Sequence, residues 1–420
     1  MRDKPLHQPD VIAASSRAAN LPRVALVWAQ FIPSHTDRCR AVQSRLRGRA
    51  DVAAIEVAST SVDYGAFATS DPPNDVEYLT LFGAMSFESV PAWRRFCALF
   101  KVTFRQDVVC IGIPYTVPEV LPLVLLLRLT GVQVILVYDT KFDDRPRSAG
   151  RELIKSLALS VFSGAIVASA RSRDYLRFLG FHRRRVMGGT NGVSTARIVA
   201  EAGQAVPAFA DRDFLFVGRF VREKSLDHLI ASFKRYIDAQ PGSRRRLVLV
   251  GSGPLEAELR AQVSRLDLAD RVTFAGFRTG ADLARAMSAA LALVLVSHSE
   301  SWGFVINEAA ALGLPLIVSE APGARDVLVR NLVNGLLVPN GSRECLAAAM
   351  AAMASDETTW RAMSTASRER AWLGDSERFA DAVELLLDPG AEPARANMDR
   401  YLATFDEVLG YGAAASTERA

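Results

Sequence analysis

The sequence predicts an α/β protein built from two successive doubly wound parallel sheets facing each other across a cleft. Three observations lead there. Short, near-continuous runs of Val, Leu and Ile recur along the chain, as strands buried on both faces of a parallel sheet do. Segments long enough for crossover helices separate them. The alternation stops at 199–212, where Gly203, Pro207 and several alanines stand, and then restarts, as expected of two units joined by a linker.

In the first unit the strand runs are 23–29, 51–58, 77–82, 107–113, 134–139 and 165–168, with crossover helices over 117–129 and 149–159. In the second they are 214–217, 247–250, 272–275, 291–296, 314–318 and 335–338, with helices over 225–238 and 255–264. From Trp360 onward the chain reads as helical and polar. Pro389, Gly390 and Pro393 bend it, and an amphipathic pattern resumes over 401–409. The expected organisation is a flexible tail over 1–20, a first domain over 21–198, the linker 199–212 and a second domain over 213–390. A terminal segment over 391–420 holds a helix expected to pack back on the first domain, and a tail.

A chain of 420 residues, half of them hydrophobic and 23% charged, fits two globular domains rather than a disordered segment. The formal charge of +4 is too small for a dedicated nucleic-acid binder. The basic runs at 183–185 and 244–246 read as solvated loops or helix ends, against a patch facing lipid phosphates. Cys39, Cys97, Cys110 and Cys345 form no CxxC pair, so neither a zinc ribbon nor a redox motif is indicated. They read as small buried side chains in a reducing compartment. The start, 1–20, lacks the apolar core of a signal peptide, and the most apolar stretch, 120–129, is too short to span a bilayer. A cytoplasmic protein is expected, with peripheral attachment at the inner face of a membrane left open.

Four stretches carry candidate chemistry. The strand ending at Val217 runs into Gly218 and Arg219, with Lys224 following just before a helix. Cations in that loop suit a diphosphate, Arg219 as a planar fork and Lys224 as a point charge; the alternative is two surface cations beside Glu223. Glu300 and Glu308 stand with seven residues between them. Gly303 opens a helix whose first N–H groups and positive end suit phosphate, while carboxylates suit ribose and sugar hydroxyls; the alternative is a solvated pair of glutamates. Gly251-Ser252-Gly253-Pro254 lacks the third glycine of a dinucleotide fingerprint and reads as a tight turn lining the same cleft. Phe274 to Phe277 ends the next strand there. Glu320-Ala321-Pro322-Gly323 and Asn334-Gly335 are turns.

Taken in order, these residues resemble the retaining glycosyltransferases of family four, also called group one, which have two facing Rossmann-like domains (the GT-B fold). The likeness runs from Phe214 to about Met353. It includes the loop with Gly218, Arg219 and Lys224, the Gly-x-Gly-Pro turn, the Phe-x-Gly strand end and Glu300-x7-Glu308 with its run to Pro315. It implies an enzyme moving a sugar from a nucleotide-diphosphate sugar to a glycan, lipid-linked or small-molecule hydroxyl, in polysaccharide, lipopolysaccharide or glycolipid synthesis. The donor is a substrate, and neither a cofactor nor a metal is implied. By this likeness Arg219 and Lys224 neutralise the diphosphate, Glu308 holds the ribose, and Glu300 sits against the transferred sugar. The amides of Gly303 and Phe304 meet sugar or phosphate, and Gly218, Gly251, Gly253, Phe277 and Arg278 complete the donor side.

The first half matches less well. The family's Gly-Gly pair is missing from 28–35. His35 falls where many relatives place a cleft-facing histidine; a structural role is the alternative. Asn191-Gly192-Val193 matches the family, but Ser194 stands where relatives carry Asp. Asp139, Asp143, Asp144 and Arg145 either line the acceptor side or cap the next helix. A sugar-nucleotide epimerase of the same fold and a non-catalytic partner subunit remain as alternatives.

Overall fold

The computed structural model describes residues 21–62, 76–182, 184–203 and 206–409; the expected tails over 1–20 and 410–420, residues 63–75, Arg183, and 204–205 of the expected linker lie outside them. The first sheet holds β1 (Arg23–Trp28), β2 (Asp51–Thr60), β3 (Tyr78–Ser86), β4 (Val108–Ile111), β5 (Gln133–Tyr138), β6 (Gly164–Val167) and β7 (Arg185–Gly188). All pair in parallel, in the order β3-β2-β1-β4-β5-β6-β7. The intervening helices are α1 (Pro33–Arg45), α2 (Ala92–Thr103), α3 (Val120–Leu129), α4 (Ala149–Leu159) and α5 (Ala170–Phe178).

The second sheet holds β8 (Phe214–Val217), β9 (Leu247–Val250), β10 (Val272–Gly276), β11 (Ala292–Leu295), β12 (Leu316–Ser319) and β13 (Gly335–Val338). It is again all parallel, in the order β10-β9-β8-β11-β12-β13. Between the sheets lies α6 (Thr195–Ala202), and around the second sheet α7 (Leu226–Ala239), α8 (Glu256–Arg265), α9 (Gly280–Ala289), α10 (Phe304–Ala311) and α11 (Arg325–Leu328). The chain ends with α12 (Arg343–Ser355), α13 (Glu357–Arg370), α14 (Glu377–Leu387) and α15 (Ala394–Leu409).

The apolar runs follow from burial on two faces. In β1, Ala25 and Val27 join one core, while Val24, Leu26 and Trp28 join another on the opposite face. That second core is closed by Phe379, Ala380 and Val383 of α14 and Met398 of α15, so the last helices complete the layer over the first sheet. Gly188 makes room for this return: a Cβ there would lie 2.2 Å from the ring of Tyr401. Arg45 of α1 pairs with Asp381 at 2.6 Å and with Glu377, fixing α14 along α1.

Several expectations change. β7 appears where no strand was expected. The first part of the 199–212 linker is helical, because α6 runs to Ala202 with Ser194 as its N-cap, accepting from the Arg197 amide at 3.2 Å. Helix α3 starts at Val120 rather than Val117, since Pro118 disfavours helical geometry at the residue before it. The cysteines divide: Cys39 and Cys110 are buried, but Cys97 and Cys345 lie on exposed helix faces. Arg245 is not solvated either; it is buried, donating to the Arg212 carbonyl at 2.7 Å and lying over the Phe209 ring. Among the described residues no helix is long and apolar enough to cross a membrane.

Candidate functional site

In an open parallel sheet, ligands settle beyond the carboxyl ends of the strands where the strand order reverses. In the second sheet that point lies between β8 and β11. The loops leaving these two strands meet there. The His298 amide donates to the Glu223 carbonyl at 3.0 Å, and Ser225 Oγ lies 3.1 Å from His298 Nδ1. Lys224 Nζ pairs with the Glu300 carboxylate, and both side chains keep 16–17% of their surface exposed. Ser297 Oγ, 3.4 Å away, donates to the same carboxylate.

The glycines of this region act through close approach. Gly251 has φ 138°, and a Cβ on it would lie 1.9 Å from the Gly218 carbonyl oxygen. Its amide donates to the Gly276 carbonyl at 2.8 Å, so the loops after β8, β9 and β10 pack backbone to backbone. Gly253 packs the same way on Phe220. Gly303, at φ 98° and ψ 66°, is the N-cap of α10, and a side chain there would come within 3.6 Å of Glu300 Cγ. The positive end of α10 is therefore beside the acid that Lys224 holds.

The first domain supplies the facing wall. Lys141, 1% exposed, pairs with Asp144 and donates from Nζ to the Glu300 carbonyl at 2.8 Å. Arg171, at the start of α5, binds Asp326 of α11 at 2.9 Å, Asp143 at 2.5 Å and the Pro322 carbonyl at 2.9 Å. A pocket of about 370 Å³ lies between these walls, lined by Lys141, Asp143, Asp144 and Arg171 on one side and His298, Glu300, Glu320 and Arg325 on the other. Asp139, behind them, has its carboxyl pushed above the usual range by burial and by Asp144.

The predicted residues divide. Lys224, Glu300 and Gly303 come together. Arg219 is exposed in the same loop, with no ion-pair partner among the described residues. Phe277 and Arg278 are exposed beyond the edge strand β10. Phe304 is the first residue of α10. Glu308 does not line the pocket that holds Glu300. It is turned to the α6 side, where Arg197, Glu201 and Asp37 are its charged neighbours, and burial raises its carboxyl to about 7 despite Arg197.

His35 is corrected from a cleft-facing group to an enclosed one. It is 5% exposed and stacks on Trp28 with centroids 4.9 Å apart. Its Nδ1 lies 2.9 Å from the Gln30 carbonyl. Burial and then Arg38 hold its pKa well below the ordinary value, so the ring is neutral. Asn307, inside the Glu300–Glu308 motif, ties the domains: its Nδ2 donates to the carbonyls of Asn191 and Gly374, each at 2.9 Å, and its Oδ1 accepts from Trp302 Nε1. Sequence reasoning missed Lys141, Arg171 and Asp326. The only signal was the polar cluster after β5, in which Lys141 sits unremarked.

Comparison with known proteins gives a likeness confined mainly to the second half. Residues 205–370 match the model for glycosyl transferases group 1. The second half of this chain is therefore similar to the group 1 glycosyl transferases over that stretch. The D-inositol 3-phosphate glycosyltransferase of Saccharomonospora viridis is 36% identical over 195 residues, 45% of this chain and 45% of that protein. The O-antigen chain mannosyltransferase C of Escherichia coli is 32% identical over 162 residues, 38% of this chain and 42% of that protein. The chain thus spans less than half the length of these two curated relatives. Among solved structures, Anabaena HepE in complex with UDP and glucose aligns with a TM-score of 0.65 at 18% identity, covering 88% of this chain and all of that one. WaaG, a glycosyltransferase involved in lipopolysaccharide biosynthesis, aligns at 0.58 and 14%, covering 87% of this chain and all of that one. At these identities the likeness is one of fold: a GT-B architecture of two Rossmann-like units.

Proposed function

We propose that this chain is a retaining, metal-independent glycosyltransferase. It moves a sugar from a nucleotide-diphosphate sugar to a hydroxyl acceptor, on the cytoplasmic side. The observation that carries the reading is the pairing of Lys224 with Glu300 at the carboxyl-end switch point of the second sheet, Glu300 itself lining a pocket walled by both domains. A diphosphate entering there competes with Glu300 for Lys224. The ammonium turns to the phosphate, and the released carboxylate turns to the sugar hydroxyls. As the anomeric bond breaks, negative charge grows on the β-phosphate. Lys224, Arg219 and the N-terminus of α10 answer that charge without moving far, which is how fixed electrostatics lowers a barrier.

The acceptor hydroxyl comes from the first-domain side, past Asp143 and Asp144, and attacks the face that the leaving phosphate occupies, so configuration is retained and the phosphate takes the proton. Two domains closing on the pocket exclude water and limit hydrolysis of the donor. HepE, whose solved complex contains UDP, supports uridine nucleotides as the first donors to try. The curated relatives support acceptors as different as an inositol phosphate and an O-antigen chain, so the acceptor is proposed as a hydroxyl class.

A thermal-shift screen against nucleoside diphosphates and their sugars tests the reading, because selective binding raises stability by mass action. One nucleotide family is expected to stabilise the protein, and to do so less in Lys224→Ala. Isomerisation of the sugar by enzyme and donor alone identifies an epimerase instead, and stabilisation without turnover over an acceptor panel identifies a partner subunit.

A further inference from the structure

A second cavity lies at the opposite end of the second sheet. Arg212 stands just before β8, at the amino end of the strand whose carboxyl end leads to Lys224. The cavity, about 320 Å³, is bounded by α6, α9, α10 and α13, with Arg212, Arg368, Met287, Leu312 and Trp360 in its walls. It shares no lining residue with the cleft pocket.

Its polar chemistry is one-sided. Arg212 is 7% exposed and lies over the Trp360 ring, 4.7 Å from its centroid. One of its terminal nitrogens donates to the carbonyls of Ser288 and Ala290 at 2.8 and 2.9 Å. Its Nε is buried with no acceptor. Burial, then Arg361, Arg368 and Arg245, all work against its charge. Arg361 is paired with Glu357 at 2.5 Å. Arg368 has no ion-pair partner among the described residues, and its guanidinium lies over Gly313, where a Cβ would come within 2.5 Å of Nε. A buried guanidinium with like-charged neighbours and no carboxylate partner among the described residues is costly unless an anion answers its charge. The rest of the wall is apolar, which is the usual make-up of a small-molecule site with a few placed polar groups.

We propose that this cavity binds a small organic anion, with its oxyanion held by Arg212 and Arg368 and an apolar body against Met287, Leu312 and Trp360. The site is separate from the nucleotide-sugar cleft and does not depend on the reading of that cleft. Phosphate esters and carboxylates share the chemistry, and the test separates them.

Titration calorimetry on the full chain uses phenyl phosphate, benzoate and inorganic phosphate as probes. Phenyl phosphate is expected to bind wild type and Lys224→Ala alike, and about tenfold more weakly to Arg368→Gln, which loses one charge-assisted contact. Val199→Trp, at a half-exposed position on the rim, is expected to block entry while leaving both arginines in place. Binding of benzoate on a par with phenyl phosphate assigns the site to carboxylates as well, and failure of benzoate assigns it to phosphate esters. The proposal is overturned by absence of phenyl phosphate binding, by binding that survives both Arg368→Gln and Val199→Trp, or by binding lost in Lys224→Ala. Inorganic phosphate binding as tightly as phenyl phosphate overturns the apolar half of the assignment.

Discussion

The two sheets reverse strand order in the same way, yet the chemistry at their switch points differs. Beyond β8 and β11, charged side chains stay part-exposed: Lys224 pairs with Glu300, which lines a pocket, and glycines let three loops close up behind them. Beyond β1 and β4, the space is filled. Trp28 occupies the place where a Cβ on Gly112 would come within 2.1 Å of its indole nitrogen, His35 stacks on Trp28, and the Arg38 guanidinium lies 5.1 Å from the same ring. One switch point offers its polar groups to a ligand, and the other spends them on its own interior. A histidine near a strand end is thus weak evidence for chemistry until its surroundings are known.

Substitutions at the two points sharpen the contrast. Lys224→Ala is expected to reduce transfer by about a hundredfold or more, as loss of a transition-state contact of ~3 kcal/mol does, with the melting temperature little changed. Near-normal turnover in both Lys224→Ala and Arg219→Ala removes the clamp. Gly251→Ala places a Cβ against the Gly218 carbonyl at positive φ and is expected to cost about 2–3 kcal/mol in denaturant unfolding. His35→Ala is expected to cost about 2 kcal/mol of stability through lost packing on Trp28, while kcat/KM of the folded fraction holds. Loss of transfer without loss of stability returns His35 to the chemistry.

The smallest effect is one of pH. The Glu308 carboxyl titrates near 7 when folded, raised from 4.5 by burial. In that interval the folded state keeps a proton that the unfolded state has lost, so this group's contribution to stability falls as pH rises from 4.5 to 7. If Glu308 holds the ribose as a carboxylate, donor KM falls as pH passes through about 7. Glu308→Gln flattens both profiles. An unchanged stability profile in that variant means the proton resides elsewhere.

The fold was largely legible because its strands are buried on both faces, which leaves continuous apolar runs. β7 was not, since Arg185-Val-Met-Gly is a four-residue edge strand without such a run. In the site, Lys224, Glu300 and Gly303 were legible because strand end, loop and helix start follow closely in sequence. Lys141 and Arg171 were not. Their partners in the second half lie more than 150 residues away, and only the packing of the two domains makes them neighbours. Arg245 misled through a shorter-range contact, as its run of arginines looks solvated until the carbonyls of Phe209 and Arg212 are seen around it.

Lys141 has a consequence for engineering. Its ammonium reaches from the first half to main-chain oxygens at Glu300 and Ser301, so it reads backbone shape rather than side-chain identity. Hybrids that splice a foreign first half onto this second half to change acceptor choice inherit a loop shaped around a lysine that the graft must also bring. Without it, the carbonyls of Glu300 and Ser301 lose that donor, and the hybrid is expected to misplace the loop that carries Glu300.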